Sequence, residues 1–257
     1  MVRATTEKTV AKVVSPTEWL EARKKLLAKE KEFTRLRDEL SRERRKMPWE
    51  KVEKKYTFEG AKGKLTLSDL FGTLSQLIIY HFMFGPGWKE GCPSCSFLAD
   101  SFDAAVVHLA QRDTSFAVIS GATLPEIQTF QKRMGWRFHW LSSNGTDFNH
   151  HFQVSVSKQE IESGKSEYNY EPSNFPSEER PGLSVFYQKD GEIYHTYSTY
   201  ARGLDILLPT YNLLDLTPNG RDEEGLPWPM AWVRHHDRYG DPNAADAMTL
   251  ISAAKRA

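Results

Sequence analysis

The feature that most constrains this chain is a pair of cysteines separated by two residues. Cys92 and Cys95 are the only cysteines among 257 residues, and they belong to the sequence Cys-Pro-Ser-Cys. An apolar run (residues 74–84) and a glycine-rich turn precede the pair, and an apolar-periodic segment (residues 97–109) follows it. This order predicts a buried strand, a turn, and a helix that begins at the cysteines.

The start of a helix changes the chemistry of a thiol. With Cys92 at the N-cap, Pro93 takes the first helical position, where its missing N–H costs no hydrogen bond, and Cys95 lies in the first turn. Unpaired backbone N–H groups and the positive end of the helix dipole favour thiolate over thiol there. We therefore predict that one sulfur is exposed and activated, that the other lies behind it within bonding distance, and that the pair cycles between dithiol and disulfide.

Composition narrows the class of protein. Basic and acidic residues both number 34, so no net charge attracts nucleic acid or a membrane surface. The first residues show no apolar signal core, and the apolar run before the cysteines is too short to span a bilayer. We expect a cytoplasmic protein without a cofactor, in which a close cysteine pair is more often catalytic or metal-binding than structural.

The N-terminal part has the pattern of a long amphipathic helix. Ser15 and Glu18 form the ends of a capping box around Pro16, and apolar residues then recur every seven positions from Trp19. We expect residues 1–48 to form a helical extension that lies on the main body or on a partner subunit. Homodimerisation through this helix is therefore an open prediction.

The remaining chain reads as a core with a tail. Residues 49–217 alternate strand and helix patterns, which predicts a parallel α/β core completed by an antiparallel hairpin around Asp190-Gly191. Within this core, the polar segment 157–180 is expected to be a surface excursion. Residues 218–257 are expected to form an irregular tail, packed on the body at first and frayed from Asp241.

Six stretches of this core resemble one family of thioredoxin-like proteins. The stretches are Tyr80-His-Phe-Met-Phe-Gly85, Gly91-Cys-Pro-Ser-Cys-Ser96, Arg133-Met-Gly-Trp136, Asp147-Phe-Asn149, Gly182-Leu-Ser-Val-Phe186 and Tyr197-Ser-Thr-Tyr-Ala-Arg-Gly-Leu-Asp205. They resemble domain of unknown function 899, a family of predicted dithiol–disulfide oxidoreductases. The resemblance implies a thioredoxin-like α/β fold, a central mixed sheet flanked by helices.

The resemblance also implies roles for individual residues. Cys92 would be the attacking thiolate and Cys95 the resolving thiol, acting on a disulfide-containing protein or small thiol substrate and recycled by an external reductant. Pro181 matches by its placement the cis-proline that faces the cysteine pair in thioredoxins. We add Trp88, Pro93 and Ser94 as residues expected to contact substrate or tune the pair. A peroxiredoxin pattern is not met, because a lysine stands where a Thr or Ser belongs three residues before the first cysteine.

Two other classes of function stay open. A copper or zinc module, or a metallochaperone, would need further ligands beside the cysteines, and the candidates are histidines at positions 139, 150, 151 and 195. A non-catalytic interaction scaffold would use the amphipathic helix instead. We favour the thiol–disulfide oxidoreductase and predict no resident metal, since a cysteine pair at a turn-to-helix junction suits redox chemistry without further ligands.

Overall fold

The computed structural model describes residues 11–254 of the chain. The described residues belong to two compact units, the first ending at Trp49 and the second beginning at Glu50. The ends of the predicted extension and tail, residues 1–10 and 255–257, lie outside the described residues. No helix in the described range is long and apolar enough to cross a membrane.

The helices and strands alternate along the second unit. The first unit contains α1 Pro16–Arg44, and the helices of the second unit are α2 Pro93–Ala99, α3 Phe102–Ala110, α4 Leu124–Met134, α5 Phe148–His151, α6 Lys158–Glu162, α7 Pro209–Leu214 and α8 Ala247–Ala254. The strands are β1 Glu50–Lys51, β2 Thr57–Gly60, β3 Gly63–Thr66, β4 Gln76–His81, β5 Thr114–Ser120, β6 Trp140–Ser142, β7 Glu167–Tyr168, β8 Glu171–Pro172, β9 Gly182–Lys189 and β10 Glu192–Tyr200.

The first unit is the predicted long helix. The Ser15 hydroxyl accepts from the Glu18 N–H at 3.3 Å, and the Glu18 carboxylate accepts from the Ser15 N–H at 3.0 Å. These two hydrogen bonds satisfy amide groups that a helix start leaves unpaired, so the predicted capping box is confirmed. The helix α1 runs for 29 residues and none of its side chains is buried.

One eight-stranded sheet organises the second unit, within the described range. Its strand order is β1-β10-β9-β4-β5-β6-β2-β3. The strands β4, β5 and β6 are parallel, and β9 pairs antiparallel with β4 and with β10. The strand that feeds the cysteine helix is therefore central, with a parallel strand on one side and an antiparallel hairpin on the other. This is the predicted thioredoxin-like fold.

Alternation along the central strands separates two hydrophobic clusters on opposite faces of the sheet. Leu77 and Ile79 of β4 belong to one cluster, whereas Ile78 and Tyr80 belong to the other. Both cysteines lie in the cluster of Tyr80, together with the helices α2 and α4. The chemistry expected of the cysteines is thus confined to one face of the sheet.

The segment 157–180 is exposed over most of its length, as a surface excursion would be, but its end is buried. It contains α6 and the β7–β8 pair, and Tyr168 and Arg180 within it are buried. The Arg180 guanidinium donates to the Glu167 carbonyl at 2.7 Å and to the Ser166 hydroxyl at 2.9 Å. Polar composition was misleading here because these polar groups are hydrogen-bonded inside the protein.

The C-terminal segment is more ordered than predicted. Val233 and His235 are buried, and Ala247–Ala254 forms the helix α8 within the part that was expected to fray. Ile251 of α8 is buried in the same hydrophobic cluster as the cysteines. The small residues of α8 gave no strong apolar period, but one isoleucine anchors the helix.

Candidate active site

Backbone hydrogen bonds fix the cysteine pair at the start of α2. The Cys92 N–H donates to the Met83 carbonyl at 3.0 Å, just beyond β4, and its carbonyl accepts from the Ser96 N–H and hydroxyl at 2.9 and 3.0 Å. Cys92 is the N-cap and Pro93 takes the first helical position, as predicted. The turn is therefore held to the strand on one side and to the helix on the other.

Both thiols are free and both are buried, with 2% of each cysteine exposed. The prediction that one sulfur is exposed was therefore wrong. The turn beside the pair is packed against aromatic rings, since a Cβ on Gly91 would come within 2.6 Å of the Phe82 ring and 2.8 Å of the Phe130 ring. Aromatic rings close over this side of the turn, and only glycine allows so close an approach.

The environment shifts the two thiols in opposite directions. Hydrogen bonding to the Cys95 thiol is the largest cause that lowers the pKa of Cys92 despite its burial. The backbone of Cys95 and the backbone and hydroxyl of Ser94 make smaller contributions in the same direction. Burial raises the pKa of Cys95 well above its ordinary value, and hydrogen bonding to Cys92 raises it further. The pair thus divides into one thiol that ionises readily and one that keeps its proton.

Tyr80 contributes a group that the sequence did not single out. Its side chain is hydrogen-bonded to the Cys95 thiol, which lowers the pKa of that thiol against the effect of burial. Burial raises the pKa of the Tyr80 phenol well above its ordinary value, so the hydroxyl stays protonated. Its signal in the sequence was its place in β4, on the face where the cysteine helix packs.

A second group that sequence reasoning missed comes from the C-terminal segment. His235 lies 2.8 Å from the Gly91 carbonyl and, since burial lowers its pKa, donates Nε2–H as a neutral ring. Arg133 of α4 binds Glu90 at 2.7 Å and Asp237 through two contacts of 2.8 Å. These contacts tie α4 and the C-terminal segment to the residues just before Cys92. No local motif in the sequence connects them.

The other predicted site residues are divided between the turn and its surroundings. Pro93 is buried and Ser94 half-buried at the helix start, next to Cys92. Trp88 is half-buried and lines a cleft at the carboxyl ends of β4, β5 and β6. Pro181 does not have the cis peptide bond that the resemblance implied, because no cis bond occurs in the described residues. Its carbonyl accepts from the Tyr168 hydroxyl at 2.6 Å.

The histidines expected of a metal site do not gather around the cysteines. His151 and His195 contact Phe152, in the cluster on the opposite face of the sheet. His195 is also hydrogen-bonded to the Ser198 hydroxyl at 2.7 Å. In residues 11–254 no group of three or more His, Cys, Asp or Glu side chains is placed to hold a metal ion.

Fold and site together define a thioredoxin-like domain with a cysteine pair at a helix start. A family model described as "Bacterial protein of unknown function (DUF899)" matches residues 8–239. The chain belongs to this family, as the resemblance of its motifs predicted. No curated protein matches the chain.

Solved structures that resemble the chain are distant ones. A cysteine-to-serine mutant of Xanthomonas campestris peroxiredoxin Q is 15% identical, with 61% of this chain and 90% of that chain covered, at a TM-score of 0.41. Peroxidoxin BcpB from Mycobacterium tuberculosis is 14% identical, with 65% and 97% covered, at a TM-score of 0.44. The chemistry of this chain has to be argued from its own residues.

Proposed function

We propose that this protein is a thiol–disulfide oxidoreductase in which Cys92 and Cys95 cycle between dithiol and disulfide. The observation that carries the proposal is the free Cys92–Cys95 pair at the start of α2, with Cys92 at the N-cap. The opposite pKa shifts of the two thiols support it. A lowered pKa supplies the thiolate that attacks a disulfide, and a raised pKa keeps the second thiol protonated until it is needed.

In the proposed reaction the Cys92 thiolate attacks one sulfur of a substrate disulfide. The substrate S–S bond breaks, one half leaves as a thiolate that takes a proton, and a mixed disulfide on Cys92 remains. Cys95 then gives up its proton and attacks the Cys92 sulfur, which releases the second half. The substrate has gained two electrons, and an external dithiol reductant returns two electrons to the Cys92–Cys95 disulfide.

Burial adds a requirement to this proposal. A disulfide cannot reach Cys92 while only 2% of the residue is exposed, so the turn from Gly91 to Ser94 has to open locally. Ser94, half-buried beside it, is the most accessible residue of the motif. We expect alkylation of Cys92 to be slower than its lowered pKa alone would give.

Mass spectrometry of defined variants tests the proposal. Cys95→Ser, treated with bis(2-hydroxyethyl) disulfide, should retain one mercaptoethanol adduct on Cys92, whereas the wild-type protein should proceed to the internal disulfide. Cys92→Ser is the matched control and should form neither. An adduct on Cys95 instead, or a Cys92 alkylation midpoint at the ordinary thiol value of about 8.5, would contradict the proposal.

A further inference from the structure

A cleft of about 610 Å³ lies at the carboxyl ends of the parallel strands β4, β5 and β6. Its walls include Trp88 after β4, Gly121 after β5 and Asn144 after β6. Ligands of open α/β sheets bind at this edge of the sheet. The cysteine helix α2 starts from the same edge, after the loop that carries Trp88. The cleft is large enough for a small molecule or a few residues of a peptide.

A buried carboxyl group lies in the wall of this cleft. Glu179 is 7% exposed, and burial raises its pKa to about 8. The carboxyl is therefore mostly neutral near pH 7 and carries an O–H donor. The Ser155 hydroxyl donates to its Oε1 atom at 2.9 Å. This bond leaves the carboxyl proton for Oε2, the oxygen to which Ser155 does not donate.

A buried acceptor lies close by in the same cleft. Asn149 is 4% exposed, and its Oδ1 atom has no hydrogen-bond partner among the described residues. Its backbone carbonyl accepts from the Ser155 N–H at 3.2 Å, so Ser155 links it to Glu179. Buried polar atoms in proteins are nearly always paired, and an unpaired one indicates a missing partner.

Two glycines bring the strand ends against these groups. A Cβ on Gly121 would lie 3.1 Å from Glu179 Oε1, and a Cβ on Gly85 would lie 2.9 Å from Trp88 Nε1 and 3.3 Å from Glu179 Cγ. Neither glycine has a positive φ, so the absence of a side chain serves close approach and not an unusual backbone conformation. The indole, the carboxyl and the two backbones thus form one continuous wall.

We propose that this cleft binds a secondary amide of the disulfide substrate, whose N–H donates to Asn149 Oδ1 and whose carbonyl accepts from the Glu179 carboxyl. One donor beside one acceptor is the complement of an amide group. Trp88 supplies an apolar wall for the atoms next to that amide. The inference rests on the proposed function and adds the chemistry by which the substrate is recognised.

The charges around the cleft favour an uncharged ligand. Lys158 in its lining stands against a metal cation, and Glu178 stands against a carboxylate. The amide could belong to a polypeptide or to a small amide-bearing disulfide. These sources share the same recognition chemistry and are separated by experiment.

The test is single-turnover oxidation of the reduced protein by two matched disulfides. One is the disulfide of N-acetylcysteine methylamide, which has secondary amides, and the other is bis(2-hydroxyethyl) disulfide, which has none. Asn149→Ala and Glu179→Ala should each lower the second-order rate with the amide disulfide about three- to tenfold more than the rate with the other disulfide. Glu179→Gln, which keeps an N–H donor, should stay within about twofold of wild type.

A measurement on the wild-type protein guards against variants that fail to fold. N-acetylalanine methylamide, which has no sulfur, should inhibit oxidation by the amide disulfide competitively and leave oxidation by the other disulfide unaffected. An additional rate gain with a disulfide-linked octapeptide would assign a polypeptide substrate, and no gain would assign a small one; both results support amide recognition.

The failure of this inference differs from failure of the proposed function. Equal losses with both disulfides, or no loss with either, would overturn amide recognition while the dithiol chemistry stands. If the wild-type protein and Cys92→Ser reacted alike with both disulfides, the dithiol chemistry itself would be wrong.

Discussion

Two buried acids at the same edge of the sheet respond to burial in opposite ways. Cys92 ionises more readily than an ordinary thiol, and Glu179 ionises less readily than an ordinary carboxyl. Burial disfavours the charged form of both groups. The difference lies in hydrogen bonding, because the Cys95 thiol and the first turn of α2 stabilise the Cys92 thiolate. Glu179 has the Ser155 hydroxyl, and that one bond does not offset burial.

The two groups therefore suit different chemical roles. A thiolate is useful for attack on sulfur, whereas a neutral carboxyl is useful as a hydrogen-bond donor. The position of each follows from the chain: Cys92 starts a helix, and Glu179 lies on an extended segment bridged to Ser155.

The largest effect is expected from Glu179→Gln, in the pH dependence of stability. Burial raises the pKa of Glu179 from 4.5 to about 8, so the unfolded chain ionises this group at a lower pH than the folded chain. At a pH below the pKa of the unfolded chain, Glu179 does not lower the free energy of unfolding. Stability falls as pH rises towards about 8, and above that pH the loss is constant at no more than about 5 kcal/mol. Glutamine cannot ionise, so urea unfolding of the variant should lose this fall.

Glu224→Gln is the matched control, since Glu224 is exposed. Its unfolding midpoints should follow the wild-type curve between about pH 5 and 9, the interval in which the linkage operates. If the curve of Glu179→Gln also ran parallel to that of wild type, the carboxyl would be ionised in the folded protein and the contrast with Cys92 would be lost.

The next effect concerns the largest cause of the low Cys92 pKa, the Cys95 thiol. Cys95→Ala removes the hydrogen-bond donor, whereas Cys95→Ser replaces it with a hydroxyl. A hydrogen bond to a charged group is worth about 1.5–3 kcal/mol. The pH profile of Cys92 alkylation should therefore move to higher pH in Cys95→Ala and stay near the native position in Cys95→Ser. Identical profiles would assign the low pKa to the helix start alone.

Local chemistry is what the sequence made predictable. The capping box at Ser15 and Glu18 and the N-cap at Cys92 both follow from hydrogen bonds within one helical turn. The order of strands and helices then led to the fold, because a parallel strand–helix–strand unit leaves few topologies. Homodimerisation through α1 stays a prediction.

Contacts between distant segments were not predictable in the same way. His235 stands 144 positions from Gly91, and nothing in either local pattern connects them. Glu179 lies in the polar segment that was expected at the surface, and only the folded chain encloses it together with Asn149. The exposed sulfur was predicted wrongly for a related reason, since a helix start gives the direction of a pKa shift but does not show how deeply the folded chain buries the thiols.

Tyr80→Phe should give a smaller effect, on the resolving thiol. The hydrogen bond of Tyr80 lowers the pKa of Cys95, and its loss should raise that pKa further. Since such a bond is worth about 1 kcal/mol, release of a mixed disulfide from Cys92 should slow about fivefold. Rapid-quench mass spectrometry measures this step directly.

Tyr56→Phe is the control for that variant. Tyr56 is buried in the hydrophobic cluster on the other face of the sheet, and its hydroxyl has no partner among the described residues. Loss of this hydroxyl should leave the release rate unchanged and cost little stability. Equal slowing in both variants would mean that packing, not the hydrogen bond, controls Cys95.

The smallest effect is expected from Ser94→Ala. The Ser94 hydroxyl is the least of the causes that lower the pKa of Cys92, and the backbone contribution of Ser94 survives the substitution. We expect the alkylation profile of Cys92 to move slightly to higher pH. The shift should correspond to a free-energy change of a few tenths of a kcal/mol. Ser96→Ala is the control, because the Ser96 hydroxyl donates to the Cys92 carbonyl and not to the thiol. This variant should lose stability and keep the native thiol profile. If Ser96→Ala moved the thiol profile and Ser94→Ala did not, the hydrogen bond that matters most would lie in the helix backbone. The side chains of the motif would then not explain why Cys92 differs from Glu179.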